Sequence, residues 1–235
     1  MTYTILGRCA RTGRLGIGIA TFSITVGRYC YGVKAMTGVT VSQAFAHERN
    51  NQLALRLLAQ GFSAGAVLQR LMGNDRHASY RQIGVIDRDG TAVAYSGPGT
   101  RGWSGHVVGE NHVAFGNGLV GPEVAEAIAA GFLAEPAADL EHRLLCAIEA
   151  GRDAGGQGTR DRHKPERSAA LRVYSHHPYA DIDLRVDLHA TAVEELRRVW
   201  TEYKKYETYY RDRERNPKGA IGQEAFMATL RAAEA

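Results

Sequence analysis

The chain opens on two short runs in which apolar residues dominate or alternate with polar ones, residues 3–8 and 15–21, joined by CARTGR. Gly13 in that link suits a hairpin of moderate loop length, so the runs are predicted to be adjacent antiparallel strands. Residues 38–46 (GVTVSQAFA) are β-branched and alternating. The period then lengthens in ERNNQLALRLLAQG, where Leu53, Leu57 and Leu58 recur at helical spacing, so a strand hands over to a helix near His47. Ser63 is the expected N-cap of a second helix, with Val67, Leu68 and Leu71 on one face.

From Tyr80 the alternation returns. Two apolar runs in RQIGVIDRDGTAVAY flank Asp89-Gly90, a strong hairpin signal. Strands are expected over 104–108 and 112–115, then a helix with Pro122 at its first position and another over 140–153. Strands over 168–174 and 182–186 and a closing helix over 190–213 complete the chain. The Gly-rich polar stretch 154–168 is expected to be a loop, and residues 216–235 a short helix or tail. Clustered strands separated by paired helices predict an α+β fold of antiparallel sheets covered by helix layers, not a parallel α/β alternation.

At 235 residues this is expected to be one large domain over residues 1–200 with an extension over 201–235. The apolar and charged fractions, 44% and 23%, exclude a disordered chain, and no apolar run is long enough to span a bilayer. The start MTYTILGR has no secretory signal pattern, and three widely spaced cysteines suit reduced thiols, so a cytoplasmic protein is expected. The net charge of +4 is not gathered into a basic block with interleaved aromatics, which argues against a nucleic-acid partner. The first 47 residues contain no acid but carry Arg8, Arg11, Arg14, Arg28 and Lys34, so whatever they build is locally cationic.

Thr2 is the first candidate for chemistry. Loss of Met1 would put a hydroxyl and a free α-amine on one residue, and the amine can act as general base for that hydroxyl. Thr2 also starts a strand, so a sheet ladder would hold it. Lys34 is the candidate cation beside that amine, where it would lower the amine's pKa; the alternative is a solvated surface lysine.

The opening MTYTILGR with LGIGIAT, VSQAFA (41–46), RQIGVIDRDG (81–90), WSGHVVG (103–109), GNGLVGPEV (116–124), AGRDAGGQG (150–158), SAAL (168–171) and DLRVDLH (183–189) together resemble the DUF1028 family. That family, of unknown function, is placed among the N-terminal-nucleophile (Ntn) hydrolases. The resemblance covers residues 1 to about 200 and implies a four-layer αββα sandwich of two antiparallel sheets flanked by helices. It further implies Thr2 as nucleophile and Lys34 in the lysine position of proteasome-type β subunits. One departure stands out: the proteasome-type acid on the second strand is absent, leaving Asp153 or Asp187 as candidate partners for Lys34.

Within these motifs Asn117 is a candidate oxyanion donor and Ser42, Gln43 and His106 are candidate substrate-binding residues, joined by Arg160 in the loop that follows GGQG, which as a plain mobile loop would have no such role. An ordinary turn would explain Asn117 as well, and a local hydrogen bond would explain His106. The histidines show no HExxH-like spacing, so neither a metal nor another cofactor is expected. The expected activity is an amidohydrolase acting on a small substrate that bears a carboxylate. Homo-oligomerisation would use the aromatic closing helix, with Tyr203, Tyr206 and Tyr210 as interface candidates. The alternative is a catalytically silent sandwich that binds a ligand or assembles with other subunits.

Overall fold

The computed structural model describes residues 1–234. They form two compact units, Met1–Leu196 and a second beginning at Arg197. In chain order, β1 (Thr2–Arg8), β2 (Leu15–Thr21), β3 (Tyr31–Lys34) and β4 (Gly38–Ala44) precede α1 (Glu48–Ala59) and α2 (Ala64–Asn74). Next come β5 (Arg81–Asp87), β6 (Ala92–Ser96), β7 (Trp103–Gly109) and β8 (His112–Leu119), then α3 (Pro122–Leu133) and α4 (Leu140–Asp153). The first unit ends with β9 (Gln157–Thr159), β10 (Arg162–Lys164), β11 (Ser168–Tyr174), β12 (Ile182–Val186) and the start of α5 (Ala192–Arg215); α6 (Gln223–Glu234) follows.

Two antiparallel sheets result. The larger runs β10-β9-β8-β1-β2-β11-β12, with β7 also paired to β8, and the smaller runs β3-β4-β5-β6. Strand alternation assigns each side chain to a layer. Leu6, Ile17, Ile19, Val113 and Phe115 of the large sheet meet Val39, Val41 and Ile86 of the small one in a buried inter-sheet core. The other face of β5, through Ile83 and Val85, packs on Ala54, Leu58, Val67 and Leu71 of α1 and α2. On the outer face of the large sheet, Gly16 and Gly18 leave room for α4: a Cβ at Gly18 would lie 2.9 Å from the Leu144 carbonyl oxygen. The layers are therefore α, β, β, α, as the resemblance implies.

Local chemistry explains the element ends. The Ser63 hydroxyl accepts from the Ala66 N–H, and Pro122 begins α3. At the β5–β6 turn Gly90 has φ 96°, and Asp87 Oδ1 accepts from the Asp89 and Thr91 amides. Asp87 Oδ2 accepts from the Ala64 N–H, tying that turn to the start of α2.

Two elements depart from the sequence reading. Residues 157–164 form the small β9–β10 hairpin where a loop is expected, because an edge hairpin with little buried surface leaves no apolar alternation to read. Residues 31–34 form a strand, half-buried and only four residues long. The last segment, expected as a short helix or tail, contains α6. In this second unit Tyr209 stacks on Phe226, centroids 4.1 Å apart, and donates its hydroxyl proton to the Ile221 carbonyl. Tyr206 meets Phe226 edge-on, so α6 takes part of the aromatic stripe assigned to a subunit interface.

Candidate active site

Thr2 is the first residue of β1, between β2 and β8 in the middle of the large sheet, opposite Thr21 and Asn117 in register. Alternation turns Thr2, Thr4 and Leu6 toward the small sheet, so the Thr2 side chain lies at the edge of the inter-sheet space and is only 7% exposed. Its Oγ1 is 3.0 Å from Thr21 Oγ1, and Thr21 Oγ1 donates to the Met1 carbonyl at 2.6 Å. A threonine has one hydroxyl proton. Since Thr21 gives its proton to Met1, the Thr2 hydroxyl must be the donor in the Thr2–Thr21 pair. Thr21 thus touches both the candidate nucleophile and the carbonyl of the peptide bond whose cleavage would free the Thr2 amine.

Below Thr2 runs a buried chain of amides. Thr4 Oγ1 donates to Gln43 Oε1 (2.7 Å), Gln43 Nε2 to Gln82 Oε1 (2.9 Å), and Asn117 Nδ2 to the same Gln82 oxygen (3.1 Å). Gln82 Nε2 donates to the Gly116 carbonyl at 2.7 Å and to Ser96 Oγ at 2.8 Å. The Gly116 carbonyl can only accept, which fixes the polarity of the chain. This network crosses the interface between the sheets and sets the Asn117 side chain beside Thr2.

The segment after Thr21 is pinned just as firmly. The Phe22 N–H donates to Gln157 Oε1 (2.9 Å), and Gln157 Nε2 donates to the buried Glu166 carboxylate (3.1 Å). The Arg167 N–H donates to the Thr21 carbonyl (2.8 Å). Cations gather on aromatic rings at this end: Lys164 and Arg167 over Phe22, and Arg101 over Phe45 at 5.4 Å. Ala44, with φ 69°, turns the chain so that Phe45 is exposed. The Met1 side chain rests against Gly118, where a Cβ would lie 2.4 Å from Met1 Cγ, and Gly102 in turn approaches the Gly118 backbone. Burial lowers the pKa of the Met1 amine; the nearby Cys30 thiol opposes that shift and Arg101 adds to it. Burial pushes the Cys30 thiol up to about 12, so at neutral pH it is a protonated, poor nucleophile despite its place near Met1.

The structure brings Thr2, Asn117 and Gln43 together but not the other sequence candidates. Lys34 is the main correction. It is exposed and pairs with Gly38, which pairs with Asp87. The Asp87 turn reaches Asn111 through the Asn111 N–H to Gly90 carbonyl bond, and Asn111 binds Arg8. Lys34 therefore sits at the Arg8 end of β1, about 20 Å from Thr2 at ~3.3 Å per residue. The chain passes the Thr2 end four residues earlier, at Cys30. The proposed acids for Lys34 are engaged elsewhere, Asp153 with Arg152 and Asp187 with Arg185.

Ser42 is buried but lies opposite Ile83, on the face of β4 that meets the helices and not on the Thr2 face. Gln43 is fully buried with its amide bonded to Thr4 and Gln82, a positioning place with no substrate access. His106 Nδ1 is 3.1 Å from Ser96 Oγ, at the border of the amide network. Arg160, at the tip of the β9–β10 hairpin, pairs with Glu123 at 3.0 Å. Thr21, Gln82 and Arg101 are site residues the sequence reading lacks. Register pairing alone would have signalled Thr21.

The geometry defines an αββα sandwich with a buried, hydrogen-bonded threonine at the head of its central strand. The chain belongs to the DUF1028 family, a family of unknown function, whose model matches residues 2–196. A crystal structure of a Silicibacter pomeroyi protein of that family superposes with a TM-score of 0.77 at 26% identity, covering 86% of this chain and 88% of that one. Weaker similarity relates it to eukaryotic HslV from Trypanosoma brucei, with a TM-score of 0.44, 11% identity and coverage of 74% and 99%. Anbu, an ancestral β-subunit from Yersinia bercovieri, gives 0.39, 11%, 86% and 94%. No curated protein matches the chain in sequence. Among the described residues no helix is long and apolar enough to cross a membrane.

Proposed function

We propose that the chain is an Ntn-type amidohydrolase in which hydrolysis of the Met1–Thr2 bond exposes the catalytic amine. The Thr2 hydroxyl then adds to a substrate carbonyl while its proton passes to the Thr2 amine. That proton leaves with the amine product as the C–N bond breaks, and water releases the acyl group from Thr2. Asn117 and backbone amides near Gly118 face the forming oxyanion. Arg101 takes the role first given to Lys34, a positive charge that disfavours protonation of the amine. The single observation that carries this reading is the Thr21 hydroxyl, bonded at once to Thr2 Oγ1 and to the Met1 carbonyl.

The substrate is a small amide bearing a carboxylate. Arg101, Lys164 and Arg167 beside Phe45 and Phe22 favour an anionic group with a flat apolar part, and the Met1 side chain packed against Gly118 would leave with cleavage of the Met1–Thr2 bond. The mechanism requires no cofactor and no nucleic acid. The catalytic domain is Met1–Leu196, the remainder an extension, in a cytoplasmic homo-oligomer. Sizing of a truncation ending near Arg198 tests the last point: an unchanged oligomer removes Tyr203, Tyr206 and Tyr210 from the interface.

Intact-mass spectrometry before and after treatment with a β-lactone, with Thr2→Ala as control, tests the nucleophile. The expected result is a chain without Met1 carrying one adduct on Thr2, absent from the variant. A retained Met1 with no adduct would sink the threonine mechanism and leave the ligand-binding or assembly module as the better reading.

A further inference from the structure

On the outer helix layer, three side chains of different chemistry converge. His142 and Cys146 are four apart on α4, so they share one face of the helix. Glu135 reaches them from the α3–α4 connection. His142 Nε2 is 3.3 Å from Glu135 Oε1 and 3.3 Å from Cys146 Sγ, and the three ligand atoms all lie within 4.8 Å of one another. A cation bound tetrahedrally at about 2.0–2.3 Å sets its nitrogen, oxygen and sulfur ligands about 3.3–3.7 Å apart, which the two separations from His142 match and which a small rotation of the exposed Glu135 side chain would reach for the third.

The supports of the three residues are rigid. Arg143 Nε donates to the Phe132 carbonyl at 3.0 Å while its guanidinium stacks 4.1 Å over the Phe132 ring, locking the end of α3 to α4. The Ala138 N–H donates to the Glu135 carbonyl, and Arg11 Nη2 to the Ala137 carbonyl, so the connection carrying Glu135 is closed on itself as a turn and tied to the β1–β2 turn. Glu135 is exposed and the other two are half-buried, which gives a solvent path to the cluster. The β1–β2 turn that carries Arg11 lies at the Arg8 end of β1, the end away from Thr2.

We propose that Glu135, His142 and Cys146 form a three-ligand site for a borderline divalent cation of the Zn2+ class, its fourth position taken by water. One thiolate, one imidazole and one carboxylate match that class better than Mg2+ or Ca2+, which prefer all-oxygen sets. Binding displaces the Cys146 thiol proton to solvent, and the cation staples the α3–α4 connection to α4 without entering the chemistry at Thr2.

The test is a titration of the reduced full chain with Co2+, read by the thiolate-to-cobalt charge-transfer absorption, beside Zn2+ equilibrium dialysis. One equivalent of either metal is expected, with the absorption band lost in Cys146→Ser and affinity at least about tenfold weaker in His142→Gln. Glu135→Gln, on an exposed side chain, keeps the fold and is expected to weaken binding as well. Circular dichroism of each apo variant checks folding. No charge-transfer band in the wild type, or a band that persists in Cys146→Ser because Cys9 or Cys30 supplies the thiolate, would overturn the site.

Discussion

Replacing Gln82 with leucine puts a number on the amide network under Thr2. Leucine fills a similar volume but has neither donor nor acceptor, so three buried groups lose their partner at once. They are Gln43 Nε2, Asn117 Nδ2 and the Gly116 carbonyl. An orphaned buried polar group costs about 1–3 kcal/mol, and partial relaxation brings the three together to about 3–6 kcal/mol. The added apolar surface of leucine in a fully buried place returns about 1–2 kcal/mol, leaving a net loss of about 2–4 kcal/mol. With a urea m-value of about 2 kcal/mol per molar, the unfolding midpoint should fall by about 1–2 M. The double variant Gln43→Leu/Gln82→Leu should lose less than the sum of the singles, because the Gln43–Gln82 bond is broken in both. A midpoint shift below about 0.3 M, or strict additivity of the pair, would refute the claim that this chain of amides holds the sheets in register beneath the site.

Three further outcomes follow from named contacts. Gly18→Ala drives a Cβ to 2.9 Å from the Leu144 carbonyl and 3.2 Å from Ile148, so α4 must shift; thermal unfolding should show a loss of about 1–3 kcal/mol. Thr21→Val keeps volume but removes the hydroxyl shared by Thr2 and Met1, and labelling of Thr2 by a β-lactone should slow at least about tenfold with little change in Tm. Burial alone would raise the Asp75 pKa, but bonds from Arg81, the His77 N–H and Asn50 outweigh it and hold the carboxyl well below the usual range. Its stabilisation is therefore complete above the unfolded value of about 3.9 and fades as pH falls below it. Asp75→Asn should cost about 2 kcal/mol at pH 7, and in urea titrations the gap to wild type should narrow steadily as pH falls below about 4.

The layers were legible because burial is periodic. Strands with one face on another sheet and one on a helix layer are apolar on both, as in LGIGIAT, while α1 and α2 show a clear 3.6-residue stripe. Caps and turns were legible for a local reason, since Ser63, Pro122 and Asp89-Gly90 act within a few residues of themselves. The β9–β10 hairpin was hidden because hairpin pairing at a sheet edge leaves most side chains in water.

The site was legible only where it follows from a single strand. Thr2 heads β1, and its place on that strand could be read from the sequence, but everything that surrounds it depends on register between strands far apart in sequence. Thr21 meets Thr2 because β1 and β2 pair antiparallel without a bulge, and one residue of slip would have turned it to the α4 face. Lys34 fails for the same reason in reverse: the lysine position implied by the resemblance takes no account of the β3–β4 hairpin, which carries Lys34 to the other end of the sheet. What the hairpin leaves near Met1 is Cys30, and burial that raises its thiol to about 12 keeps it from competing as nucleophile. The hydroxyl of Thr2 already donates into Thr21 and sits on the same residue as the amine that cleavage of the Met1–Thr2 bond would release, which is why the proposed mechanism starts there.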